Sequence, residues 1–173
     1  MRNIAVGNKK INEEAVMKRN WVHAVLVLAS FCMAGMLPLQ AQAAQCSQAS
    51  VAGNWSYTYN GTVYVPDAAL IAAVGHYHQD ATGNVSGSQT HTLAGQTEAE
   101  NITATAIVNG DCTGSATINV YFEGTLLRTT TVNIAYDSNG NHVRMIFTSL
   151  TLSDGTVLPV VATLDGNRVT PKS

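Results

Sequence analysis

Turn-forming residues recur at nearly even intervals along the second part of this chain. Glycine, asparagine and aspartate cluster about every ten to thirteen residues, at 80–84, 94–96, 109–111, 123–124, 137–141, 153–155 and 165–167. Such clusters end strands and form tight turns. Strands and turns that alternate with this regularity predict an all-β sandwich or barrel.

The segments between these turns are predicted to be strands, and several of them alternate between apolar and polar residues. In 116–122, for example, the apolar side chains fall at even positions, as expected for a strand with one buried face. Pro159 cannot donate to a strand ladder, so we expect an edge or a bulge at that position. We predict eight strands and a short C-terminal strand, at 52–59, 70–79, 84–93, 98–108, 114–122, 125–137, 142–152, 156–164 and 167–170.

The short turns favour an up-and-down meander, and a meander of eight strands loses its edges by closing into a barrel. We therefore predict an all-β, eight-stranded antiparallel up-and-down barrel, which is wide enough for one small ligand. A two-sheet sandwich is the alternative, but only 61–69 is long enough to cross between sheets. Segment 66–74, where Pro66 could open a helix, is expected to be mainly loop followed by strand.

The first part of the chain has the pattern of an export signal. Lys18 and Arg19 precede an apolar run over 21–39, and an Ala-x-Ala sequence follows at 41–43. A basic start, an apolar centre and a small-residue exit are typical of a secretory signal peptide. The apolar centre is short for a membrane span, which favours cleavage over anchoring.

The export signal divides the chain into two parts. Residues 1–44 are predicted to be an N-terminal extension and a cleaved signal peptide, with translation starting at Met1 or Met17. Residues 45–173 are predicted to be a single β-barrel domain. The domain is expected to be secreted, either extracellular or periplasmic, without a stable membrane anchor after cleavage.

Cysteine and charge content narrow the class of protein further. Cys46 and Cys112 both follow the predicted cleavage point, and an even pair in an oxidising compartment predicts a disulfide; two free thiols are the alternative. Residues 45–173 carry four basic and nine acidic side chains, a net charge of −5. Such a chain has no basic patch for nucleic acid or an anionic membrane. No cofactor is expected.

The sequence Gly53-Asn54-Trp55 opens the first predicted strand, close behind Cys46. It resembles the G-x-W motif of the calycins, the group that includes lipocalins and avidins. In lipocalins the tryptophan closes one end of the barrel and a late arginine packs over it. The resemblance therefore implies that Trp55 and Arg168 plug the barrel. The lipocalin T-D-Y motif has no match, so the resemblance covers the strand count and one tripeptide.

Two sets of polar residues are candidates for other chemistry. His76 and His78 share a face of a predicted strand at a spacing that suits a metal ion, but zinc needs a third ligand, so we expect two solvent-facing histidines and no metal site. Glu98 and Glu100 also share a face and are expected to form a solvated strand end.

Two arginines lie in neighbouring predicted strands. Arg128 or Arg144, if it lay inside a barrel, could hold the carboxylate of a ligand. The alternative is that both charges face outward.

The first function hypothesis is a secreted, non-enzymatic β-barrel that binds a small apolar or amphipathic molecule in its interior. No G-x-S-x-G elbow or other catalytic arrangement is evident. Two alternatives stay open: an enzyme that resembles allene oxide cyclase, and a structural or surface-interaction domain whose interior is filled. The residues predicted to line a cavity are Tyr57, Tyr77, Ile118, Val120, Val132, Ile134, Met145 and Phe147.

Overall fold

A computed structural model of the protein describes residues 46–169. The predicted N-terminal extension and signal peptide, 1–44, lie outside the described residues, so cleavage and secretion stay predictions. In the described range, no helix has the length and apolar character that a bilayer span requires.

The described residues form one short helix and nine strands. Ser47 begins the helix, and its side chain accepts a hydrogen bond from the backbone N–H of Ser50, which satisfies one of the free donors at the helix start. The elements are α1 (Gln48–Val51), β1 (Gly53–Val65), β2 (Asp67–Gln79), β3 (Asn84–Leu93), β4 (Gln96–Val108), β5 (Thr113–Phe122), β6 (Thr125–Tyr136), β7 (His142–Leu152), β8 (Val157–Leu158) and β9 (Val160–Arg168).

Eight of the nine strands close into a barrel. Consecutive strands from β1 to β7 pair antiparallel, β7 pairs with β9, and β9 pairs back onto β1. The two-residue β8 pairs only with β7. The predicted all-β, eight-stranded antiparallel barrel is confirmed, and the sandwich alternative is wrong.

The first hairpin differs from its prediction. β1 and β2 each have 13 residues, and only Pro66 separates them, so 61–69 is not a long loop and 66–74 contains no helical turn. Tyr57, Tyr59 and Val63 are buried on one face of β1. Alternation therefore continues past residue 59, and pairing with both β2 and β9 keeps the whole segment extended.

The last strand also differs from its prediction. The segments 156–164 and 167–170 were expected to be separate strands, but β9 runs continuously over Val160–Arg168. Pro159 separates β8 from β9, because proline has no N–H to continue the ladder. The closing strand is thus shifted towards the C-terminus by four residues.

The two ends of the barrel are built differently. At one end, α1 and the disulfide between Cys46 and Cys112 lie beside the turns that follow β2, β4 and β6, so this end is closed. At the other end are the turns that follow β1, β3, β5 and β7. The β3–β4 and β5–β6 turns there place Ala94 and Glu123 at positive φ, as a two-residue hairpin turn requires.

Two bulges interrupt the strand pairing towards this second, open end. The β5–β6 register shifts at Leu127, and the β6–β7 register shifts at Thr148. An extra residue changes which side chains face inward beyond it. Consequently Phe147 and Leu150, three residues apart on β7, both contribute to the interior.

Candidate functional site

A buried ion pair lies inside the barrel, where its interior meets the open end. Glu100 on β4 accepts two hydrogen bonds from Arg128 on β6: Nη1 donates to Oε1 at 2.7 Å and Nη2 donates to Oε2 at 2.7 Å. The side chains are 1% exposed for Glu100 and 12% exposed for Arg128. A two-pronged contact of this kind is among the stronger polar interactions in proteins.

Two neutral side chains continue the network towards the closed end. Gln89 donates from Nε2 to Oε2 of Glu100 at 2.6 Å, and Tyr57 donates its hydroxyl to Oε1 of Gln89 at 2.7 Å. Gly75 leaves room for this arrangement, since a Cβ at that position would lie 2.7 Å from the Tyr57 hydroxyl oxygen. Each polar group is thereby paired, as burial in an apolar interior requires.

His91 and Tyr59 complete what we call the polar layer, the set of Tyr57, Tyr59, Gln89, His91, Glu100 and Arg128. The Nδ1 atom of His91 lies 3.5 Å from Oε1 of Glu100, and its ring lies 6.0 Å from the Tyr59 ring. Burial raises the pKa of Tyr59 to about 12, so its hydroxyl keeps its proton at neutral pH.

The charges of the ion pair are stable at neutral pH. Burial alone would raise the pKa of Glu100, but hydrogen bonds from His91 and Arg128 and the Arg128 charge outweigh it. Together they lower that pKa from 4.5 to about 2. Burial would lower the pKa of Arg128, but its bonds to Glu100 raise it instead. A carboxylate with so low a pKa is a weak general base near pH 7.

The lowered pKa of Glu100 predicts a specific loss of stability in acid. Its folded-state pKa lies below its unfolded value, so the stabilisation is present above pH 4.5 and is lost as the pH falls towards 2. Between pH 6 and pH 3 the wild type should lose about 2 kcal/mol more unfolding free energy than Glu100→Gln/Arg128→Met. Urea unfolding at both pH values measures this difference, and equal losses in the two proteins would contradict it.

Two spaces lie on opposite sides of the polar layer. The inner one, towards the closed end, is a cavity of about 50 Å³ with almost entirely apolar walls. The engineered apolar cavity that holds benzene is about three times that size, at roughly 150 Å³. The inner cavity therefore has room for a few waters or a small substituent, but not for a whole organic ligand.

The outer space, which we call the cup, opens at the second end of the barrel and has a volume of about 290 Å³. Its floor is formed by Tyr59, His91, Glu100, Arg128 and Phe147. Gln96 and Glu98 add polar groups to its lining. Its walls are aliphatic and consist of Val63, Val65, Ile71, Leu93, Leu127, Leu150, Leu152 and Leu158.

Trp55 fills the closed end of the barrel and is fully buried. Its Nε1 donates to the backbone oxygen of Val51 at 3.1 Å, and its ring stacks on Tyr77 with centroids 6.1 Å apart. The Arg168 guanidinium lies 5.3 Å from the Trp55 ring centroid and donates to the backbone oxygen of Ser50 at 2.6 Å. The two residues assigned to a plug thus lie together at this end.

Seven of the eight side chains predicted to line a cavity border the inner cavity; Val132 is buried but does not. Phe147 is also the only one of the eight that borders the cup. Whether any of them binds a ligand stays a prediction. The set is Tyr57, Tyr77, Ile118, Val120, Val132, Ile134, Met145 and Phe147.

His76 and His78 lie on the outer wall of the barrel and are exposed. His78 contacts Oδ1 of Asn54 through Nδ1 at 3.0 Å. Among residues 46–169, no group of three or more histidine, cysteine, aspartate or glutamate side chains is placed to hold a metal ion.

The expectation for the acidic pair is half wrong. Glu98 is exposed at the rim, but Glu100 is buried, because the strand that carries it begins at Gln96 and continues into the barrel. Of the two arginines, Arg128 faces inward and Arg144 is exposed. Glu100 already binds the Arg128 guanidinium and offsets its charge.

Sequence reasoning missed the cup and most of the polar layer. Two cup residues, Val63 and Val65, lie in the segment that was expected to be loop, although alternation from Tyr57 to Val65 could have identified it as strand. His91 and Gln89 were not considered as interior residues. The alternation of the strand could have identified Glu100 as an interior residue, because Glu100 lies on the same face of β4 as the apolar Ile102.

The sequence matches no known protein family and no curated protein. Two solved structures are similar in fold. An S-type phycobiliprotein lyase, CPES, from Guillardia theta is 7% identical, with a TM-score of 0.43 over 72% of this chain and 92% of that one. A redesigned β-barrel, mFAP1, bound to DFHBI is 20% identical, with a TM-score of 0.43 over 70% of this chain and 100% of that one. The closed eight-stranded barrel itself fits a calycin-like architecture.

Proposed function

We propose that the protein binds a small, largely apolar molecule in the cup at the open end of its barrel. The observation that carries this proposal is the composition of the cup: aliphatic walls around a space of about 290 Å³ with a few polar groups on its floor. Small-molecule sites are typically concave and apolar, with volumes of about 300–1,000 Å³ and a few placed polar groups. The cup has this character, and its volume is just below that size range.

Binding without chemistry is favoured over catalysis. The acidic groups of the polar layer are held by other side chains: Glu100 by Arg128 and Gln89, and the Tyr57 hydroxyl by Gln89. A group that is fully engaged in this way is a poor base or nucleophile. We therefore propose a binding protein, and the predicted export signal makes an extracytoplasmic carrier the corresponding role.

The interior beyond the polar layer sets the depth of binding. Because the inner cavity is only about 50 Å³, the body of the ligand would remain in the cup, with Phe147 and Arg128 beneath it. Such a ligand would therefore contact a ring of aliphatic side chains at its sides and polar groups at one end.

A dye titration with a matched pair of variants tests this proposal. Leu93 lines the cup and is 38% exposed, whereas Ile107 is on the outer wall and is 61% exposed. Nile red, an uncharged dye whose fluorescence rises in apolar surroundings, should bind the wild type. Leu93→Gln should weaken binding about tenfold, the effect of losing roughly 1.4 kcal/mol of apolar contact.

Ile107→Gln is the control and should leave the affinity for Nile red unchanged. Equal losses in the two variants, or no binding by the wild type, would contradict the cup as the site. Native mass spectrometry of residues 45–173 purified from its producing cells provides an independent check, because a carried ligand would add a defined mass.

A further inference from the structure

The floor of the cup has little net charge to offer a ligand. Each terminal nitrogen of Arg128 donates one hydrogen bond to Glu100, and the opposite charges offset one another. An anionic group near Arg128 would also meet the carboxylate of Glu100, which is buried against the arginine with its side chain 1% exposed. Glu98, which also lines the cup, adds a further negative charge. These charges disfavour a carboxylate or a phosphate.

His91 provides the floor with a hydrogen-bond acceptor. Its Nδ1 faces Oε1 of Glu100 at 3.5 Å, and an ionised carboxylate can only accept. The neutral ring therefore carries its proton on Nδ1, which leaves Nε2 with a free lone pair. Since His91 borders the cup, Nε2 is the ring nitrogen that remains for a ligand.

We propose that the ligand carries an uncharged hydroxyl group, which donates its hydrogen to Nε2 of His91, and that its apolar body lies between the cup walls. This inference rests on the proposed binding function and adds the chemical class of the ligand. A hydroxyl group can donate to Nε2, and because it is uncharged it needs no opposite charge on the floor of the cup. A carboxylate lacks the hydrogen, and an ether oxygen lacks it as well, so both leave Nε2 unpaired.

Competition between matched ligands tests the inference. Decan-1-ol, decanoate and methyl nonyl ether have similar apolar chains and differ in the polar group. Each is titrated against Nile red bound to the wild-type protein at pH 8. Decan-1-ol should displace the dye at a concentration about tenfold lower than decanoate or the ether, since an unmade buried hydrogen bond costs about 1–3 kcal/mol.

Two variants at position 91 connect the preference to the histidine. His91→Phe removes the acceptor, so decan-1-ol and the ether should displace Nile red at equal concentrations. His91→Gln restores a neutral acceptor and should recover at least part of the preference for the alcohol. Thermal unfolding of both variants is the control measurement, because the comparison requires both to be folded under the conditions of the titration.

The outcomes separate this inference from the proposed function. Displacement by decanoate or by the ether at the same or a lower concentration than decan-1-ol would overturn the hydroxyl while leaving the cup as a binding site. Nile red binding without displacement by decan-1-ol would also overturn it. Absence of Nile red binding to the wild type would overturn the proposed function and the inference together.

Discussion

Replacing Glu100 by glutamine is expected to lower the free energy of unfolding by about 3–5 kcal/mol at pH 7. The substitution leaves the Arg128 cation in the barrel without its carboxylate, and a guanidinium cannot lose its proton to escape that cost. Arg128→Met should have a cost of similar size, since it removes the cation that balances the charge of a buried carboxylate. Urea unfolding at pH 7 gives both values, provided that the denaturant slope stays unchanged.

The double variant Glu100→Gln/Arg128→Met should recover most of this loss. An amide at position 100 still accepts the hydrogen bond from Gln89, and methionine occupies the space of the arginine stem. Replacing a buried pair by neutral groups of similar volume is often nearly neutral, so the two single costs should be strongly non-additive. Additive costs would mean that Glu100 and Arg128 act independently, which contradicts the paired geometry.

An exposed arginine provides the control for this comparison of single and double variants. Arg144 lies 3.8 Å from Asp165, with side-chain exposures of 75% and 55% respectively. Surface pairs of this kind contribute roughly 0–1 kcal/mol. Arg144→Met should therefore change the unfolding free energy by no more than about 0.5 kcal/mol, and a cost comparable with that of Arg128→Met would remove burial as the explanation.

The barrel was predictable because its turns and its alternation agree. Six hairpin turns contain glycine, asparagine or aspartate, and the strands between them alternate with period two. The first hairpin was mispredicted for a local reason: Pro66 and the alanine-rich start of β2 have low strand propensity. Pairing on both sides of that hairpin, by β9 and by β3, overrides the propensity.

The polar layer was harder to predict because it depends on registers across several strands. Gln89 and Glu100 are direct cross-strand partners. A two-residue turn at Ala94 fixes this register, so the pairing could have been predicted if β3 and β4 had been expected to reach that turn. Arg128 belongs to β6, separated from β4 by the whole of β5. Its meeting with Glu100 depends on the register shift near Leu127, and alternation within one strand does not reveal such a shift.

Removing the disulfide is expected to have the second large effect. The bond joins Cys46 to Cys112 across a sequence separation of 66 residues, and closing a loop of that length restricts the unfolded chain by about 4 kcal/mol. Cys46→Ala/Cys112→Ala should lose about that much unfolding free energy. The corresponding fall in Tm is on the order of 15 °C for a domain of this size.

The same pair of substitutions should leave ligand binding intact, because the bond lies at the closed end of the barrel and the cup lies at the open end. At 20 °C, where the variant is expected to be folded, its affinity for Nile red should equal that of the wild type. Wild-type protein treated with a reductant should reproduce the stability loss of the double variant. A loss below about 1 kcal/mol would show that the unfolded chain is already restrained without the bond, and a parallel loss of dye binding would show that the two ends of the barrel are coupled.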